Sequence, residues 1–178
     1  MSKATRIALY KDFMSATVYT DEKTINHLDK IGFFDAPAST KYHGAYPGGL
    51  FDHSLEVGRA LVLLTEKLSL TWEKPSSPYI VGMFHDLCKC DAYKINFETC
   101  KIDFNSEMII SGHGDKSIIE AQKFISLTDE EIACIRWHMG AYETDTKMWN
   151  YYGKAIEKYP NVLYTHTADM IASKIVGV

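Results

Sequence analysis

Apolar residues recur at three- and four-residue spacing through Leu50, Val57, Leu61, Leu64 and Leu68, the mark of a helix that buries one face. Ser77-Pro78 reads as an N-cap followed by proline at the first helical position, opening a helix that carries Ile80, Phe84 and Leu87. Thr128-Asp129-Glu130-Glu131 has the spacing of a capping box. The helix it opens is expected to run to about Met139 and stop at Gly140. Asn161 is placed to cap a last helix containing Asp169. Tyr93, Ile95 and Phe97, then Ile102 and Phe104, alternate weakly and predict one short hairpin within residues 93–104. The stretch Ala36 to Gly49, punctuated by Pro37, Gly44, Pro47, Gly48 and Gly49, reads as a loop rather than a boundary, because composition is similar on both sides. Helix signals outnumber strand signals, so the expected fold is all-α with at most one short β-hairpin.

A chain of 178 residues fits one domain and can bury a core. With 46% hydrophobic and 24% charged residues the balance is that of a globular protein, which excludes disorder as the default. A net charge of −4 argues against a nucleic-acid-binding face, which is usually basic. It leaves room for a small phosphorylated ligand, since a bound cation reverses the local sign. No run is apolar and long enough to span a bilayer, and residues 1–9 lack a secretory apolar core, so a cytoplasmic protein without a membrane partner is expected. Cys88, Cys90, Cys100 and Cys134 form no pair of CxxC knuckles, which argues against a zinc ribbon and for reduced thiols.

The chemistry is carried by histidines and aspartates. His85 and Asp86 are adjacent in Gly82-Met83-Phe84-His85-Asp86-Leu87-Cys88-Lys89, within what reads as an apolar helix. Aspartate is a poor residue in a helix interior, and an ionised carboxylate in apolar surroundings needs a partner or a metal. Lys89 follows Asp86 by three positions and could share its side. A surface pair with an ordinary salt bridge to Lys89 is the plainer alternative. His53 sits at the edge of the buried face of its helix, where a lone histidine is more often a satisfied core residue. Asp169 is a carboxylate in a mostly apolar helix; His113 and His138 sit in a turn and near a helix end, where terminal carbonyls would suit them. Together these residues could meet at one centre, and imidazole with carboxylate suits Zn, Fe, Mn or Ni better than Ca or Mg.

The order His53, His85-Asp86, Asp169 resembles the HD superfamily of metal-dependent phosphohydrolases. Gly48-Gly49-Leu50-Phe51-Asp52-His53-Ser54 is similar to the GGLxxHS segment of many members, and Phe84-His85-Asp86-Leu87-Cys88-Lys89 to the HDxxK segment. Gly112-His113-Gly114 and Trp137-His138 resemble the two extra histidines of members with a binuclear site, and His166-Thr167-Ala168-Asp169 the terminal HxAD. The resemblance covers about residues 41–175, and residues 1–40 read as an N-terminal helical extension of a single domain. It implies an HD-type helical bundle with His53, His85, Asp86 and Asp169 on the primary metal. Asp86 would bridge to a second metal completed by His113 and His138. His138 departs from the pattern in being followed by Met139, where several two-metal members carry consecutive histidines.

The activity so implied is hydrolysis of a phosphoester or phosphoanhydride by metal-activated water, with one or two divalent transition-metal ions (Mn, Fe, Zn, Ni or Co). Asp86 and Lys89 are the catalytic candidates, Lys89 neutralising charge on phosphoryl oxygens. Lys89, His43 and Arg136 are the candidates for substrate contact, although loop packing and surface are the commoner roles for residues placed like His43 and Arg136. Asp115 could orient His113 or simply favour the start of the next helix. The expected partner is a small phosphorylated molecule, a nucleotide above others; an oligomer is compatible with the sequence. Two rivals share the ligand set: a di-iron oxygenase and a non-catalytic nucleotide or metal sensor. A helical interaction module with scattered histidines would leave the His85-Asp86 pair unexplained.

Overall fold

In the computed structural model, which describes residues 1–96, 99, 101–142 and 145–178, the periodic stretch from Leu50 folds as part of a long helix. The described residues form eight α-helices: α1 (Lys3–Phe13), α2 (Glu22–Lys30), α3 (Gly49–Leu68), α4 (Ser77–Phe84), α5 (His113–Ala121), α6 (Asp129–Trp137), α7 (Trp149–Lys158) and α8 (Asn161–Met170). Strands β1 (Tyr93–Asn96) and β2 (Lys101–Phe104) pair antiparallel, Tyr93 opposite Phe104 and Ile95 opposite Ile102, as the alternation predicts. Phe97 and Cys100, also named in the sequence reading, lie outside the described residues. The fold is thus mainly α-helical with one hairpin. Among the described residues no helix is long and apolar enough to cross a membrane.

The apolar stripe of α3 buries Leu50, Val57 and Leu61, and His53 lies on the same stripe; Leu68, at its far end, is exposed. Two core clusters meet along this helix. One gathers Leu50 and Phe51 of α3 with Met83 and Phe84 of α4 and with Tyr10, Met14, Leu28, Phe33 and Phe34 of the first forty residues. The other gathers Val57 and Leu61 with Cys134 and Ile135 of α6 and Val162 and Ala168 of α8. Residues 1–40, where the family resemblance is silent, therefore supply much of one core. Arg6 of α1 fastens them to the start of α3, donating through Nε to Asp52 Oδ1 at 3.0 Å and through Nη2 to the Pro47 carbonyl at 3.0 Å.

Helix α3 crosses α4 where glycine faces glycine. A Cβ on Gly82 would lie 2.3 Å from the Gly58 Cα, so only hydrogen permits this approach. Gly114 of α5 is similarly pressed against the Arg136 carbonyl of α6, 2.2 Å from where its Cβ would be.

Three local expectations are corrected. Helix α4 begins at Ser77, with Pro78 at its second position, so Ser77 is not the cap; its hydroxyl instead donates to Glu131 Oε1 at 2.8 Å. Asn161 is the first residue of α8 rather than its cap, and its amide donates to the Thr71 carbonyl and to Glu130 Oε1, both at 2.8 Å. In both cases a cross-chain acceptor wins over the local backbone. The capping box at Thr128 forms as read, but α6 ends at Trp137, with His138 at its C-cap.

Candidate metal centre

Helix ends deliver most of the candidate ligands. His85 is the C-cap of α4, and Asp86, at φ −114° and ψ 20°, has left the helix. The pair is therefore not inside a helix, contrary to the sequence reading, and the helix-interior penalty on aspartate does not arise. A 3-10 turn, Leu87–Cys90, follows. Residues three apart eclipse in a 3-10 turn, and Lys89 Nζ sits on Asp86 Oδ2 at 2.6 Å. His113 is the first residue of α5, His138 the C-cap of α6, and Asp169 lies in the last turn of α8. Beyond it the backbone widens into a π-helical segment, Ile171–Val176.

These ends converge. His53 Nε2 lies 3.3 Å from Asp169 Oδ1 and 3.6 Å from Asp86 Oδ2, and His85 Nε2 lies 3.4 Å from that same Asp86 oxygen. The other oxygen, Oδ1, faces His138 Nε2 at 3.5 Å and His113 Nδ1 at 3.9 Å. The other five residues assigned to metal in the sequence reading therefore gather around Asp86, whose two oxygens face different histidines. His53, His85, Asp86 and His138 are buried, while His113 is nearly half exposed at 47% of its side chain.

The imidazoles are held from behind. His53 Nδ1 contacts the Val178 carbonyl at 2.9 Å, His85 Nδ1 the Gly82 carbonyl at 2.9 Å, and His138 Nδ1 the Ile135 carbonyl at 2.7 Å. A carbonyl only accepts, so each Nδ1 carries the proton, and in the neutral ring Nε2 is a bare lone pair. Those Nε2 atoms have no hydrogen-bond partner; among the buried side-chain nitrogen and oxygen atoms of the described residues only His27 Nε2 and Ser54 Oγ share that condition. Buried lone pairs aimed at carboxylates are unfavourable unless a cation stands between them. Ligands bound at ~2.0–2.2 Å around one centre stand roughly 3.0–3.5 Å apart, and the contacts here are 3.3–3.6 Å. His53, His85 and Asp86, or His85, His138 and Asp169, could hold a metal ion.

Electrostatics favours anionic carboxylates here. Burial pushes the Asp86 carboxyl up, but the Lys89 charge outweighs it, joined by His85 and His138 when those rings carry a second proton, and holds it well below the usual range. Asp169 is held low against its burial in the same way, by His53, His85 and His138 when a proton on Nε2 faces it. For Lys89 the partner Asp86 outweighs burial and raises the ammonium further, so it stays charged. Burial lowers His85 and His113. His138 rises despite its burial, because Asp86 faces it.

A cavity of about 400 Å³ opens onto Asp86, Lys89, His113 and Asp169. His43 lines it, its ring 4.9 Å from that of His53, and burial, His53 and Lys89 push it down to about 4. The loop bearing His43 is braced by Ser39, whose hydroxyl donates to the His43 carbonyl and accepts from the Tyr42 amide. Arg136 is not brought to this cavity. Its Nε forms an ion pair with Asp115 Oδ1 at 2.6 Å, and its guanidinium lies 4.2 Å over the Trp137 ring. Asp115 is thus tied to Arg136. Tyr42, Tyr93, Tyr142 and Lys174 also line the cavity. Lys174 carried no sequence signal: it follows Asp169 by five positions, a spacing that shares a face in a π turn but not in an α-helix.

No family model matches the chain, and neither a curated protein nor a solved structure matches it significantly.

Proposed function

We propose that this chain is a metal-dependent phosphohydrolase of the HD kind, cleaving a phosphoester or phosphoanhydride of a small phosphorylated substrate, with a nucleotide as the preferred class. The observation that carries this reading is the set of buried, partnerless Nε2 atoms of His53, His85 and His138 turned toward Asp86 and Asp169. His53, His85, Asp86 and Asp169 would hold the first ion. A divalent transition metal bound there would supply Lewis acidity and acidified water.

The remaining work falls to the chain's own groups. Backbone carbonyls behind His53, His85 and His138 keep the rings oriented and their protons on Nδ1. Lys89 sets a fixed positive charge in the cavity wall, where equatorial phosphoryl oxygens would meet it. His43 is neutral at pH 7, so it can donate or accept a hydrogen bond without adding charge. Lys174 adds a cation at the mouth, and Tyr42 and Tyr142, both largely exposed, offer ring faces to a base. The cavity volume of about 400 Å³ lies within the ~300–1,000 Å³ usual for small-molecule sites.

Elemental analysis of the purified protein, combined with phosphate release across a nucleotide panel, tests the reading. At least one transition-metal ion per chain and metal-dependent release are expected, both lost in Asp86→Ala. Metal-loaded protein that releases nothing from any member of the panel would overturn it. Two irons per chain with oxygen uptake would point to an oxygenase, and nucleotide binding without turnover to a sensor.

A further inference from the structure

The sulfur of Cys88 has no part in the reading above, yet it stands in the same cluster. Its Sγ is 3.5 Å from His113 Nδ1 and 3.9 Å from Asp86 Oδ1, and these donors all lie within 4.8 Å of one another. Asp86 Oδ1 is also the oxygen faced at 3.5 Å by the partnerless, fully buried His138 Nε2, whereas Oδ2 is turned to His53, His85 and Lys89. The backbone fixes the sulfur there. In the 3-10 turn after Asp86, the Cys88 amide donates to Ser117 Oγ at 3.1 Å, and Ser117 lies one turn beyond His113 on α5. The element that carries His113 thus also anchors Cys88.

We propose that Cys88 Sγ joins His113 Nδ1 and Asp86 Oδ1 on the second ion, and that the sulfur makes that place select a thiophilic divalent ion such as Zn²⁺ or Co²⁺. This inference rests on the metal-centre reading above. Thiolate, imidazole and carboxylate around one tetrahedral ion stand roughly 3.3–3.6 Å apart, so the observed separations of 3.5–3.9 Å need to contract by only a few tenths of an ångström. His138 is a fourth donor facing the shared oxygen. The sulfur discriminates against Mg²⁺, Ca²⁺ and Mn²⁺, which prefer oxygen. Coordination takes the thiolate, and its proton leaves to solvent. An entry path exists, because Cys88 and His113 both line a cavity of about 170 Å³ beneath the hairpin.

Anaerobic titration of the chelator-stripped full chain with Co²⁺ tests this, reading the visible d–d bands and the near-ultraviolet sulfur-to-cobalt charge-transfer band. The wild type should bind two equivalents, one of them bringing the charge-transfer band. Cys90→Ser should behave as wild type. Cys88→Ser should lose that band and bind its second equivalent about 10-fold or more weakly, while the d–d bands of the first ion report that the variant is folded. Two equivalents without the band, or a band that survives in Cys88→Ser, overturns the ligation by Cys88 and leaves the proposed function standing. A chain that binds no cobalt overturns both.

Discussion

Asp86 is the residue on which the site turns, because each of its oxygens faces different histidines and Lys89 sits on one of them at 2.6 Å. Asp86 and Lys89 are both buried, and removing one member of a buried pair leaves the other charge uncompensated. Asp86→Ala should therefore cost about 3–5 kcal/mol in metal-free protein, measured by urea unfolding. The double variant with Lys89→Met should recover much of that loss. His43 gives a second test. Its folded pKa of about 4 lies below the ordinary value near 6.5, so between these values the unfolded chain binds more protons. Its contribution is complete above pH ~6.5 and is lost as pH falls toward 4. Unfolding free energies of stripped protein between pH 7 and 4.5 should fall with acidification, less steeply in His43→Gln. Burial of His85 and His113 acts in the same direction, so some slope remains. The histidines and aspartates of the cluster were legible because such residues in apolar context are costly without a partner. Cys88 was not, since in a regular helix it would point away from Asp86, and only the 3-10 turn brings them together.

Elements set the distances between those residues. The Gly58–Gly82 crossing lets α3 and α4 approach closely enough to hold the His53 and His85 rings 5.3 Å apart. Gly82→Ala should force the helices apart, costing roughly 1–3 kcal/mol as overpacking does and weakening metal retention more than the remote Gly153→Ala, whose Cβ would meet nothing within 4 Å. Thermal unfolding and equilibrium dialysis with Zn²⁺ check the two arms. The helical period of α3, the Thr128 capping box and the alternation of the hairpin could all be read from the sequence, because each is a local rule. The starts of α4 and α8 could not. Ser77 and Asn161 look like caps, but their side chains bond to Glu131 and Glu130 of α6, acceptors more than thirty positions away. Arg136 likewise found Asp115 and the Trp137 ring rather than the cavity.

Across the whole molecule, the candidate ligands come from α3, the end of α4, the start of α5, the end of α6 and the end of α8, spanning both core clusters. An ion joining them would bind only the folded chain and stabilise it by mass action. At a free concentration near 100 times Kd this amounts to about 2.7 kcal/mol, or roughly 5–10 °C in Tm for a chain of this size. Chelator should lower Tm by that amount and Zn²⁺ or Mn²⁺ should restore it, as read by differential scanning calorimetry. An unchanged Tm would mean that no ion ties these helices together. The contribution of residues 1–40 to the core was hidden in the sequence, since Phe33 and Phe34 lie in no long periodic stretch and find their partners on α3. The wide turn at Ile171–Val176 bears on how the chain tolerates changes of length. Deleting one residue between Asp169 and Lys174 would let the coil tighten to ordinary winding, because five steps of a π turn and four of an α-helix return to about the same face. Lys174 would then keep the cavity mouth and the Val178 backbone oxygen its place behind His53. Inserting a further residue into a stretch already this wide would instead turn both away, altering at once what greets a substrate and what steers an imidazole.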